Sequence, residues 1–168
     1  MTGMRSERGY TLFEILIVVG LIGVVSAISV PVFIESNRRS DLWSGAEQIG
    51  ATFRSARFKA ISQNTAYRVV FNCPGANELR ALVMGVAPDD DDLPTRCGES
   101  YEGDSGTIEL PTGVAYDPDG ATYLEVSGRG IFTAAGGAIP LTVTVTHGGA
   151  IRTLTISGTG QVTFADVQ

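Results

Sequence analysis

One carboxylate stands at the threshold of a long apolar run. Glu14 is followed by twenty uncharged residues, ILIVVGLIGVVSAISVPVFI, from Ile15 to Ile34. About 20 apolar residues are what an α-helix needs to cross hydrocarbon, and an ionised group beside such a span costs about 2.5 to 3.5 kcal/mol on insertion scales. Glu14 therefore either meets a cation or snorkels to the headgroups. Cys73 and Cys97 lie outside any CxxC; they allow one disulfide in an oxidising compartment, or two buried thiols. Asp89, Asp90, Asp91 and Asp92, with Glu99, Glu102 and Asp104 nearby, offer hard oxygen ligands to Ca²⁺. Contiguous aspartates cannot all converge on one ion, however, and EF-hand spacing is missing, so a solvated acidic loop is the favoured reading.

No enzyme constellation emerges from the remaining residues. His147 is the only histidine, too few for a His-based metal site and without a local acid-base partner; beside Gly148-Gly149 it reads as a turn residue. The serines lack a nucleophile elbow. The glycine-rich stretches GGAIP and SGTGQ lack the helix and lysine of a phosphate loop. No cofactor is implied.

These groups must be positioned by two kinds of element. Beyond the apolar run comes a polar patch, 35–41, and then Leu42, Ala46, Ile49, Phe53, Ala56 and Ala60 recur at steps of four and three. That spacing predicts one helix from about Leu12 to Gln63 with a single buried stripe. Arg54, Arg57, Lys59 and Gln63 fall off the stripe, and Pro31 inside the helix should bend or locally melt it. From Thr65 the period changes to two. Strands are predicted over 65–72, 78–85, 107–110, 122–127, 131–133, 141–145, 151–157 and 161–164, with turns at Cys73-Pro74-Gly75 and His147-Gly148-Gly149-Ala150. The expected fold class is α+β: a long amino-terminal helix packed on an antiparallel sheet or sandwich.

The amino terminus distinguishes three readings. MTGMRSER is short and carries Arg5 and Arg8, a bias that keeps this end cytoplasmic. An ordinary secretory signal could end at Val25-Ser26-Ala27, but the apolar run continues past that point. A plain anchor explains the length and leaves Glu14 and Gly9 unaccounted for. The third reading rests on Gly9-Tyr10-Thr11-Leu12-Phe13-Glu14: a basic leader ending in glycine, an aromatic, Thr, two apolar residues, then Glu. This segment resembles the class III leader of type IV prepilins, although most members have Phe where Tyr10 stands. The resemblance implies cleavage after Gly9 by a dedicated prepilin peptidase and methylation of the new Tyr10 amine. It also implies a role for Glu14 as the assembly carboxylate that meets the Tyr10 amine of a neighbouring subunit, and for Pro31 as a helix-bending proline.

The rest of the chain resembles the GspH/FimT group of minor pilins and pseudopilins, through Ala56-Arg57 to Ala60 with Gln63-Asn64, and through Thr155-Ile156-Ser157-Gly158-Thr159-Gly160-Gln161-Val162. The implied organisation is a leader over 1–9, a membrane and filament-core helix over 10–34, its amphipathic continuation over 35–63, and a β-rich periplasmic domain over 64–168. The implied partners are other pilins or pseudopilins, the prepilin peptidase and an inner-membrane assembly platform. Nucleic acid is not an expected partner: net charge is −6, the pI is about 4.7, and 159–168 contains no Lys or Arg with which to neutralise phosphates.

Overall fold

The computed structural model describes residues 10–85, 97 and 102–167, with side chains through Ala165. Two compact units part between Asn37 and Arg38. Helix α1 runs Leu12–Gln63, the predicted bounds, and it is unbroken at Pro31. The local melting expected there does not occur.

In the second unit the predicted stripe is the buried one. Leu42, Ala46, Ile49, Phe53, Ala56 and Ala60 are all buried, joined by Gly45, Gly50 and Thr52. Thr52 avoids an unsatisfied hydroxyl by donating to the Gln48 carbonyl one turn back, at 2.8 Å. The two glycines sit in close contact with their neighbours: a Cβ at Gly45 would lie 2.9 Å from Val114 Cγ1, and one at Gly50 2.9 Å from Phe164 Cζ, so either neighbouring side chain would have to shift.

Nine strands follow among the described residues: β1 Tyr67–Phe71, β2 Glu78–Val83, β3 Ile108–Glu109, β4 Ala115–Asp117, β5 Tyr123–Val126, β6 Phe132–Ala135, β7 Leu141–His147, β8 Ala150–Ile156 and β9 Val162–Val167. They form two antiparallel sheets, ordered β3-β2-β1-β5-β6 and β4-β7-β8-β9. One core joins the helix stripe to both sheets. Phe53 is its hub, with its ring 5.9 Å from Phe71 and 6.1 Å from Phe132, in the tilted and edge-on geometries that aromatic pairs prefer. The first sheet buries its other face as well, where Val70, Cys73 and Leu82 gather with Cys97 and Tyr123.

The β7–β8 hairpin closes through Gly148 and Gly149, at φ +57° and +90°, the conformation a two-residue type I′ turn requires. His147 is therefore the last residue of β7, paired with Ala150, and not a turn residue. Its ring fills the space beside Gly113, where a Cβ would approach Cε1 to 2.6 Å.

β4 has no counterpart among the predicted strands, yet its Tyr116 ties the two sheets together. The Tyr116 hydroxyl accepts from the Asn72 N–H at 2.6 Å and donates to the Glu78 carbonyl at 2.9 Å. Burial pushes its pKa up to about 12 against the weaker opposing effect of the Asn72 N–H, with Glu78 adding to the rise. A hydroxyl whose pKa is higher folded than unfolded stabilises the fold below about pH 10 and loses that contribution as pH rises through about 12. Stability is therefore predicted to fall by about 2 to 3 kcal/mol across that window. Tyr116→Phe should cost about 1 to 3 kcal/mol at neutral pH and flatten the alkaline loss, both measurable by urea unfolding at a series of pH values. An alkaline loss unchanged in the variant would show that another group governs it.

Candidate assembly site at the amino-terminal helix

The start of α1 is a capped helix. Thr11 precedes it, and its hydroxyl accepts the Glu14 N–H at 3.2 Å, while its carbonyl accepts the N–H groups of Glu14 at 3.1 Å and Ile15 at 3.2 Å. Thr11-Leu12-Phe13-Glu14 is thus the T-x-x-E pattern of a capping box with its threonine half formed. Glu14 stands in the first turn, where the helix dipole favours an anion. Among the described residues no cation reaches its carboxylate, and both Glu14 and Tyr10 are exposed. Gly9 lies outside the described residues.

Past Glu14 the helix offers an apolar surface on every side. All residues from Leu12 to Ile34 are exposed, and the segment is long and apolar enough to cross a membrane. Its one hydroxyl bond is internal, from Ser29 to the Val25 carbonyl at 2.9 Å, the kind of satisfaction lipid demands. A Cβ at Gly20 or at Gly23 would meet nothing within 4 Å.

In the second unit Cys73 and Cys97 form a disulfide, with Cα atoms 5.2 Å apart and 24 residues apart in sequence. Of the two readings left open by the sequence, this is the oxidised one. A crosslink of that span removes about 3 to 4 kcal/mol of unfolded-chain entropy. Replacing both cysteines by serine is expected to lower the melting temperature by about 10 to 15 °C, by calorimetry; a shift below a few degrees would contradict this.

The acidic run Asp89, Asp90, Asp91 and Asp92 lies outside the described residues, as does Glu99. Asp104, counted with them as a ligand candidate, is committed elsewhere. Its carboxylate is 3.7 Å from Arg80 Nη2, with side chains only 1% and 9% exposed, and it accepts the Val83 N–H at 2.8 Å. Arg80 also donates to the carbonyls of Ser105 and Cys97, and Ser105 pairs with Ala81 through both its N–H and its hydroxyl. Asp104 and Ser105 are thereby fastened to β2. The same cluster touches the end of α1: the Tyr67 hydroxyl donates to Gln63 at 2.8 Å, and its pKa is raised by burial and by the Asp104 charge.

Two motif fragments far apart in the sequence, at Ala56-Arg57 and at Ile156 to Gly160, meet in space. Arg57, expected to point away from the core, is half-buried and donates from Nε to the Gly130 carbonyl at 3.2 Å. Its Cδ sits 2.5 Å from where a Cβ of Gly160 would be, and Gly160 has φ +78°. Any L side chain there would be both strained and obstructed. Arg57 thus clamps the helix to the β5–β6 and β8–β9 turns, which gives the "AR" and "IS-x-x-Gly" patterns a shared physical cause.

Residues 45–160 match the family model for type II transport protein GspH, and residues 4–30 match the prokaryotic N-terminal methylation motif. The chain belongs to the GspH family. No curated protein is a significant match. Among solved structures, the fold resembles the type IV minor pilin FimU of Pseudomonas aeruginosa: TM-score 0.55 at 18% identity, covering 76% of this chain and 90% of that one. It also resembles the minor pseudopilin EpsH of the Vibrio cholerae type 2 secretion system: TM-score 0.51 at 15% identity, covering 72% and 93%. At those identities the likeness is one of fold, and the fold is the pilin-like α+β arrangement expected from the sequence. The GspH match begins at Gly45, inside the buried stripe, and closes at Gly160, under the Arg57 clamp.

Proposed function

We propose that this GspH-family chain is a minor pseudopilin of a type II secretion pseudopilus, helping to assemble or cap the filament that exports folded proteins. The observation that supports this most is the GspH match across 45–160 behind a methylation motif over 4–30. In this reading a peptidase cuts after Gly9 and the Tyr10 amine is methylated. Residues 10–34 hold the subunit in the inner membrane and then enter the filament core, 35–63 continue as the amphipathic helix, and 64–168 form the periplasmic domain. The partners are other pilins or pseudopilins and the inner-membrane assembly platform. The work is structural, not catalytic.

The carboxylate supplies the register. As a subunit leaves lipid, Glu14 trades the membrane interface for the cationic Tyr10 amine of a neighbour. Opposite charges attract strongly in a low dielectric, and an unpaired buried charge is heavily penalised. Misregistered addition leaves both groups unpaired, so correct addition is favoured. The Thr11 cap fixes the first turn on which Glu14 stands. The deciding experiment is an in-frame deletion in the native host, scored for exoprotein release and for surface pili. Exoproteins trapped in the periplasm with normal pili support the secretion role. Lost pili with normal secretion would make the chain a minor pilin that primes a type IV pilus.

A further inference from the structure

Phe58 is 73% exposed on α1, in a unit whose other phenylalanines are buried or half-buried. Ile61 on the same helix and Ile131 in the β5–β6 turn are each 49% exposed. Ile61 Cδ1 lies 2.8 Å from where a Cβ of Gly130 would be, so these side chains border one surface. Trp43, the remaining exposed large apolar side chain of this unit among the described residues, is accounted for by the Arg152 guanidinium stacked 3.8 Å from its ring centre. Nothing described covers Phe58 in that way.

The charge around this surface opposes that of the chain. Three segments converge here through the Arg57–Gly130 bond, the Arg57–Gly160 contact and the Phe132 to Gly158 bond. Residues 51–66, 126–135 and 156–165 contain none of the 18 acidic residues but hold Arg54, Arg57, Lys59 and Arg129, in a protein of net charge −6. Arg54 shares Glu47 of the preceding turns at 3.7 Å, and Arg129 is exposed.

We infer that this surface is where another subunit of the filament docks, through an apolar centre with an acidic rim. Contiguous exposed apolar surface bordered by charge marks interaction sites, and opposite rim charge steers and registers the partner. The inference rests on the filament reading above, because Phe58 and Ile61 stand on the helix that reading already pairs with neighbouring subunits. A two-fold pairing of this surface with itself would set the same cations against each other, so the docking subunit presents a different, acidic surface.

The test uses the full chain in its native host. A photo-crosslinking residue at position 58 or 131 is expected to yield an adduct with another subunit bearing a prepilin-type amino terminus. Phe58→Glu, Ile131→Glu and Arg129→Glu should each lower incorporation into the filament at least tenfold, with membrane level and amino-terminal processing unchanged. Exposed positions on two different elements keep a folding defect from imitating this result. Wild-type incorporation by all three variants, or adducts only with proteins outside the filament, would overturn the docking surface while leaving the filament reading standing. A wild-type chain that never enters a filament would remove both. Binding of a short DNA duplex at physiological salt, lost in Arg129→Glu, with normal incorporation, would make this a nucleic-acid surface instead.

Discussion

Glu14→Ala is expected to insert in the membrane and be cleaved after Gly9 at wild-type levels, yet to fail in assembly. On the proposed pairing with a neighbour's Tyr10 amine, removing Glu14 leaves an uncompensated charge worth about 3 to 5 kcal/mol, a hundredfold or more in the equilibrium for adding a subunit. The geometry calls for a second variant, because Glu14 also sits at the third position of a capped helix. Thr11→Ala removes the cap alone and should cost about 1 kcal/mol of helix-end stability, weakening assembly far less. Quantifying sheared filament fractions from both strains separates charge from cap. Normal assembly of Glu14→Ala would sink the pairing role, and equal defects in the two variants would reassign Glu14 to the helix end.

Asp104→Ala is expected to destabilise the β-rich unit strongly. The Asp104 side chain is 1% exposed beside Arg80 at 3.7 Å and accepts the Val83 N–H. The substitution removes the carboxylate that faces the buried Arg80 guanidinium and accepts the Val83 N–H, a loss of about 3 to 5 kcal/mol. The remaining Arg80 bonds to Ser105 and Cys97 keep the figure at the lower end. Denaturant unfolding of the full chain in detergent measures it, and a loss under 1 kcal/mol would show that the pair is dispensable. Because Asp104 is fastened to β2, limited proteolysis should also cut earlier in the variant.

The helix was legible because its signals are local. Six positions from Leu42 to Ala60 repeat at helical spacing, and all six are buried. The hairpin through Gly148-Gly149 was equally plain, since that turn requires positive φ at both residues. What stayed hidden depends on distant partners. β4 is three residues long, too short for periodicity, and Tyr116 earns its place through bonds to Asn72 and Glu78 far away in sequence. The division of the strands into two sheets was also unreadable, because strand order follows from packing and not from the alternation within a strand. Asp104 looked like part of an acidic loop, since its neighbours in sequence are acidic while its partner Arg80 is not nearby in the chain. Arg57 looked solvated because helical spacing places it off the stripe; only the fold brings Gly130 and Gly160 under it. Thr11 is the opposite case. Its T-x-x-E pattern is local, and the cap follows from it without any distant partner.

Mass spectrometry of the amino-terminal peptide, after extraction of the protein from membranes, decides whether Glu14 has a methylated amine to meet. The expected chain begins at Tyr10 with one added methyl on its amine. A chain that still begins at Met1, or one cut near Ala27, would contradict it and leave Glu14 without its partner.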